Sequence, residues 1–325
     1  MKVGIIGCGT VSQYGHIPTL ANMPGVELIA LSDVNVERLE GLKQKYQVPH
    51  AFADYSELLA LKGLDAVAVA TPLHTHADIV CDAARAGLHV LCEKPLAHTV
   101  EDGERMIKAM RDANRFLGIN FNLRFSDVEG QAYAWKKDIG RINIIREVYV
   151  WHAHQWQNKE RMTQFFANGG PVVDSAVHFF DLCEWLTGEE ITGIQAVGSF
   201  LPDVGAPTHV ISNLTLSGGV IGLVEVGWTY THNTKDRAFH RRFDLIGEHG
   251  VISYDNESAK TRMYTAEETT ILPARGGKDF VAVYEAFFRA IQGQDKGSLA
   301  TGEDAFRATR AALRVLDQLG ANPYR

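Results

Sequence analysis

Lys94, Asp174 and His178 are the side chains whose types and settings could move a proton. Lys94 lies in Glu93-Lys94-Pro95, directly after the apolar run at 88–92. If that run is a strand, Lys94 sits beyond its carboxyl end, where open α/β sheets bind their ligands. An ammonium there can give a proton to a carbonyl, or take one from a hydroxyl once burial or a nearby cation lowers its pKa. A solvent-facing loop lysine would satisfy the same spacing. Asp174, His178 and Asp181 follow Gly169-Gly170-Pro171 at i, i+4 and i+7. On a helix the three share one face, with Asp174 and His178 one turn apart, and the carboxylate would fix the imidazole's tautomer and favour its charged form. An N-capping Asp174 above a core His178 is the plainer alternative.

A second group of residues has the types needed to hold a dinucleotide. Gly7-Cys8-Gly9-Thr10-Val11-Ser12 directly follows the apolar run at 2–6 and opens a helical pattern. Gly7 and Gly9 permit a tight turn and let backbone N–H groups approach a pyrophosphate at the positive helix end, with Thr10 and Val11 in its first turn. Ser12 stands where a third glycine would sit. Asp33 ends the next apolar run, where it would accept hydrogen bonds from ribose hydroxyls and repel a 2′-phosphate. That favours NAD over NADP, although the nearby Arg38 is a residue that NADP could use. Thr71-Pro72-Leu73-His74-Thr75-His76 ends another apolar run in the same way. Thr71, Pro72, His74 and His76 are therefore candidates to line the nicotinamide side, together with Glu93 and Lys94. A glycine turn followed by an acidic helix cap would produce much of this pattern without a cofactor.

The elements that must carry these residues fall into two patterns. Apolar runs at 2–6, 26–33, 65–70, 88–92 and 116–119 alternate with helix-spaced segments at 11–21, 36–46, 55–61, 75–86 and 100–113. That alternation predicts a parallel sheet covered on both faces. After a helix at 128–138, longer alternating strands follow at 143–154, 192–199, 209–216, 220–231 and 242–246, with helices at 162–166, 175–186, 279–292 and 302–319. The expected fold is an α/β Rossmann domain over 1–120, then an α+β domain with a large, mostly antiparallel sheet over 121–325. The last helix is free to pack back on the first domain. A chain of 325 residues is long enough for two cores.

A net charge of -7 argues against a nucleic-acid partner, which needs clustered Lys and Arg. Cys8, Cys81, Cys92 and Cys183 form no CxxC pair and read as small buried hydrophobes in a reducing compartment. With no leader-like start and no apolar stretch of bilayer length, the expected location is the cytoplasm, away from membranes. His152 and His154 in Trp151-His152-Ala153-His154-Gln155-Trp156 would share one strand face. Two histidines fall short of a metal site and no companion motif supplies the rest, so no metal is expected. His152, His154 and Trp156 instead suit a sugar-like polyol, as do Asn122 and Arg124 near the domain boundary and Tyr230 and His232 at another strand end.

The stretches 7–12, 70–76, 87–97, 120–125 and 169–181 together resemble the glucose-fructose oxidoreductase/inositol dehydrogenase (Gfo/Idh/MocA) family. The Glu-Lys-Pro block is the most specific of them. The resemblance implies that Lys94, Asp174 and His178 meet at the substrate of an NAD(H)-dependent oxidoreductase. Its substrate would be a secondary alcohol, or the matching ketone, of a sugar, inositol or related polyol. Lys94 or His178 would be the terminal base, with Asp174 orienting His178. Pro171 departs from the family pattern, standing where a glycine is common. A homodimer or homotetramer through the C-terminal sheet is also implied. Two other functions share much of the pattern. One is an NAD-retaining glycosidase or lyase that oxidises its substrate transiently. The other is a non-catalytic NAD-sensing protein, against which the joint presence of Lys94, Asp174 and His178 argues.

Overall fold

Short strands build the first sheet, most of them rich in Val, Ile, Leu and Ala and buried on both faces. They are β1 (Lys2–Ile6), β2 (Glu27–Ser32), β3 (His50–Phe52), β4 (Ala66–Val69), β5 (His89–Cys92) and β6 (Leu117–Ile119). The computed structural model describes residues 1–152, 159–201 and 204–324. All six strands pair in parallel, in the order β6-β5-β4-β1-β2-β3. This is the doubly wound arrangement in which the carboxyl ends of the strands carry the ligand. The connecting helices are α1 (Ile17–Asn22), α2 (Val36–Tyr46), α3 (Tyr55–Leu59), α4 (His76–Arg85) and α5 (Val100–Asp112). Their starts follow local chemistry. Asn35, Asp54 and Thr99 each accept a backbone N–H from the first turn of α2, α3 and α5.

The second sheet comprises β7 (Ile142–Val150), β8 (Ile191–Ser199), β9 (His209–Leu216), β10 (Ile221–Gly227), β11 (His240–Gly247), β12 (Gly250–Asp255), β13 (Lys260–Thr265) and β14 (Thr269–Pro273). Their order is β14-β13-β12-β11-β7-β10-β9-β8, and only β7 with β10 is parallel. Helices α6 (Glu129–Trp135), α7 (Lys159–Ala167) and α8 (Val177–Thr187) belong with this sheet. The chain then returns through α9 (Phe280–Ile291) and a two-residue strand, Ala300–Thr301, which adds antiparallel to β6. It ends in α10 (Gly302–Gln318).

Two compact units result. One is Met1–Asn122 with Asp279–Phe306, and the other is Leu123–Lys278 with Arg307–Arg325. The first unit is thus discontinuous in sequence, and α9 contributes Val283, Tyr284 and Phe287 to its core. Among the described residues no helix is long and apolar enough to cross a membrane.

The strands β3 and β12–β14 escape the sequence pattern. β3 has only three residues, none fully buried. In β12 and β13 one face is open, so Ser253, Asp255, Lys260 and Arg262 interrupt the apolar residues.

Glu147 is the strongest anomaly of the second sheet. It lies in mid-strand on β7 with 0% exposure, and neither carboxyl oxygen has a hydrogen-bond partner among the described residues. Burial, then the Glu129 charge, pushes its carboxyl well above the usual range, and Arg241 offsets this only in part. Arg241 is itself ion-paired with Glu129. A carboxyl whose folded-state pKa is raised favours folding fully below its unfolded value, near 4.5, and that contribution is lost as pH rises through the folded value. Glu147→Gln needs no proton to stay neutral. Its melting temperature should therefore exceed that of the parent by a margin that grows from acid toward pH 8. Each kcal/mol so recovered is worth about 2–4 °C in a unit of this size. Thermal melts at several pH values check this, and a margin that is flat with pH would count against it.

Candidate active site

The carboxyl ends of β1 and β2 build the first half of the cofactor platform. Gly7 holds φ at +93°, and a Cβ there would lie 2.5 Å from the Ala70 carbonyl oxygen, so the turn needs glycine. At Gly9 a Cβ would meet nothing within 4 Å, so the loop has open space on that side. Ser12, the residue in place of a third glycine, is buried and donates its hydroxyl to the Gly7 carbonyl, closing the loop on itself. It also begins a π-helical turn, Ser12–His16, that runs into α1. Thr10 is exposed and Val11 half-buried. Asp33 is pinned, with Oδ2 accepting from the Cys8 N–H at 2.7 Å and Oδ1 from the Asn35 N–H at 2.8 Å. Arg38 Nη1 stands 4.0 Å from Asp33 Oδ2. Burial, then the Asp33 charge, pushes the Cys8 thiol up to about 12, so it stays neutral beside the loop. An open glycine cradle at a helix start, with a fixed carboxylate at the next strand end, fits a dinucleotide.

The ends of β4 and β5 form the second half. Thr71 is half-buried, Pro72 and His74 are exposed, and Thr75 Oγ1 donates to Thr71 Oγ1 at 2.7 Å. His76 is buried, with Nε2 3.0 Å from the Thr71 carbonyl and Nδ1 3.1 Å from the Pro95 carbonyl. Burial outweighs these carbonyls and holds its pKa below the ordinary value. His76 thus joins the two loops. Lys94 is half-buried, and the Lys94–Pro95 bond is cis. Glu93 is buried beneath it. Its Oε1 receives His16 Nε2 at 2.9 Å and Asn120 Nδ2 at 2.5 Å, and its Oε2 receives the Lys94 N–H at 3.3 Å. His16 Nδ1 in turn lies 2.7 Å from Tyr284 Oη. Sequence reasoning missed His16, Asn120 and Tyr284. A histidine one turn past the phosphate loop and an asparagine ending β6 were the available signals.

In the second unit, Gly169 and Gly170 turn the chain into a helix whose first turn holds Pro171, where a missing N–H costs no hydrogen bond. Val172–Ala176 is again a π-helical turn, and it carries Asp174, half-buried. His178 is 8% exposed in the first turn of α8. Asp181 is engaged elsewhere. Arg124 Nε donates to its Oδ2 at 2.8 Å and Nη2 to its Oδ1 at 2.6 Å, with both side chains at least 96% buried. Arg124, expected at the substrate, is therefore held in an ion pair that anchors the start of the second unit to α8. Asn122, the other residue expected at the boundary, is buried, and its Oδ1 has no hydrogen-bond partner among the described residues. His152 Nδ1 lies 3.3 Å from the Ala238 carbonyl, His232 Nδ1 lies 2.7 Å from the Thr229 carbonyl, and Tyr230 is exposed. His154 and Trp156 lie outside the described residues.

Residues 1–121 match the oxidoreductase family with an NAD-binding Rossmann fold, and residues 133–253 match the GFO/IDH/MocA C-terminal domain. The chain is 28% identical over 274 residues to the myo-inositol 2-dehydrogenase of Thermotoga maritima, covering 82% of this chain and 79% of that one. It is 30% identical over 261 residues to the rhizopine catabolism protein MocA of Rhizobium meliloti, covering 74% and 78%. Among solved structures, a probable dehydrogenase from Thermotoga maritima superposes with a TM-score of 0.83 at 25% identity, covering 98% and 97%. Levoglucosan dehydrogenase in complex with NADH and L-sorbose superposes with a TM-score of 0.84, covering 99% and 97%. At 22% identity that second likeness speaks for the fold alone. The chain belongs to the Gfo/Idh/MocA family of oxidoreductases, and its first unit is an NAD-binding Rossmann domain.

Proposed function

We propose that this protein oxidises a secondary alcohol of an inositol, sugar or related polyol, or reduces the matching ketone, with NAD(H). One observation carries the reading. The loop 7–12, Asp33, Thr71-Pro72 and Lys94 follow β1, β2, β4 and β5 at the carboxyl edge of one parallel sheet. NAD bound here would supply the hydride acceptor for oxidation of the carbinol carbon. The chain supplies the rest. Gly7, Gly9, Thr10, Val11 and Ser12 would hold the pyrophosphate, and Asp33 would accept from the adenosine ribose hydroxyls. Thr71, Pro72, His74 and Glu93, with His76 behind them, shape the nicotinamide side. Lys94 Nζ or the His178 imidazole accepts the hydroxyl proton as the carbonyl forms, and Asp174 sets the orientation of His178. Asn122, His152 and Tyr230 are the proposed substrate contacts, with His154 and Trp156 beside them in sequence.

The test is NAD reduction, followed at the reduced-nicotinamide band, across inositols, levoglucosan, aldoses and glycosides, with NADP in parallel. Stoichiometric NADH with at least one polyol supports the proposal. Product formation without NADH accumulation would instead indicate transient oxidation by a retained cofactor, and inertness on every substrate would leave a binding protein.

The protein is further proposed to act as a homo-oligomer in a reducing, cytoplasmic compartment. Four buried, free cysteines suit that compartment. Support for assembly comes from the open face of the second sheet. There Ile221, Ile144, Ile246, Val251 and Tyr264 lie opposite one another across five strands, with Ile221 57% exposed. Ile221→Lys should shift the mass measured by light scattering toward the monomer, and an unchanged mass would redirect the interface elsewhere.

A further inference from the structure

Four buried polar side chains of the first unit form one connected chain under the lysine turn. Tyr284 comes from α9, His16 from the π-helical turn after the phosphate loop, Glu93 from the end of β5 and Asn120 from the end of β6. His16 and Asn120 are fully buried and Glu93 nearly so. Burial opposes ionisation of Glu93. Hydrogen bonding and charge from His16, the Asn120 bond and the Lys94 charge outweigh it and hold the carboxyl down to about 2. A carboxylate is therefore fixed in the interior, and its Oε2 accepts the backbone N–H of Lys94.

Tyr284 completes this chain in a way its neighbours cannot. A hydroxyl both donates and accepts, so it satisfies His16 Nδ1 whether that nitrogen carries a proton or not. Burial, then the Glu93 charge, pushes the Tyr284 phenol well above its ordinary range, so the hydroxyl keeps its proton. α9 also grips the same turn through Phe280. That ring stands edge-on to His16 at 5.0 Å, and a Cβ on Gly15 would lie 2.3 Å from it. The Ser12–His16 turn therefore has little room to move His16 away from Glu93.

We propose that Tyr284 is a positioning residue for the reaction: through His16 and Glu93 it fixes the backbone from which Lys94 works. This rests on the role proposed for Lys94 above. Tyr284→Phe keeps the ring stacked on Phe288 and removes only the hydroxyl. With the most active polyol of the NAD-reduction panel, kcat should fall about tenfold, the scale of a small misplacement of a reacting group, while KM for NAD stays near its parent value. His16→Asn breaks the chain one link closer to Glu93 and should reproduce the loss. In a Glu93→Gln background, Tyr284→Phe should cost little more, because the link it acts through is already gone. Deuterium uptake by a peptide spanning 90–99 should rise in Tyr284→Phe, a readout that needs no substrate.

Parent-level kcat in Tyr284→Phe, or losses that simply multiply in the double variant, would overturn the proposal. Unchanged uptake over 90–99 would overturn it even if the parent protein turned over no polyol. Inactivity of the parent itself would count against the proposed reaction and leave the exchange result to decide the positioning role.

Discussion

Lys94→Met is expected to lower kcat by about a hundred- to ten-thousand-fold, the range of a lost acid–base group. Methionine has nearly the length of lysine and no ionisable group, so the turn after β5 keeps its packing while the proton carrier is gone. NADH should still bind, because Gly7, Gly9 and Asp33 are untouched and the Glu93 carboxylate keeps its partners His16 and Asn120. The pair of measurements is steady-state turnover on the most active polyol and NADH affinity from nicotinamide fluorescence. A fall in turnover at constant affinity assigns Lys94 to chemistry. A parallel loss of both would make it a cofactor ligand, and undiminished turnover would remove it from the mechanism.

The second large effect concerns stability. Arg124→Met leaves the Asp181 carboxylate buried without its guanidinium, and breaking such a pair costs about 3–5 kcal/mol. The guanidinium also lies over the Trp185 ring, 5.6 Å from its centroid, so packing is lost with the charge. Urea denaturation should show the loss as a lower midpoint. Adding Asp181→Leu should return most of it, because an apolar pair of similar volume has no charge to desolvate. A single-variant loss below about 1 kcal/mol would mean that solvent reaches Asp181 when the arginine is absent, and that the pair is a surface-like contact.

The two halves of the chain differ in legibility for a physical reason. Parallel strands covered on both faces must be apolar throughout, so β1, β2, β4, β5 and β6 are continuous runs that stand out in the sequence. In the second sheet the open face breaks that continuity, and β12–β14 vanish among their own polar residues. Sites follow a similar rule. The loop 7–12, Asp33 and Lys94 could be placed because each directly follows a strand. The roles of Arg124 and Asp181 could not, because a face shared with Asp174 and His178 says nothing about a partner 57 positions away. The Tyr284–His16 bond spans 268 positions and leaves no local mark in either segment. The π-helical turns at Ser12–His16 and Val172–Ala176 were equally hidden, since a helical spacing of apolar residues does not reveal one extra residue in a turn.

The return of α9 to the first unit bears on how the protein is made. Translation delivers the whole parallel sheet from β1 to β6 early. Val283, Tyr284 and Phe287, which complete its core, emerge only after Leu123–Lys278 has been synthesised. At about 5–20 residues per second that interval is on the order of 8–30 s. During it the apolar surface meant for α9 is uncovered on a ribosome-bound chain, and His16 waits for its hydroxyl partner. The sheet of the nucleotide unit is thus made well before the residues that complete its core, so this unit cannot close until Leu123–Lys278 has been synthesised.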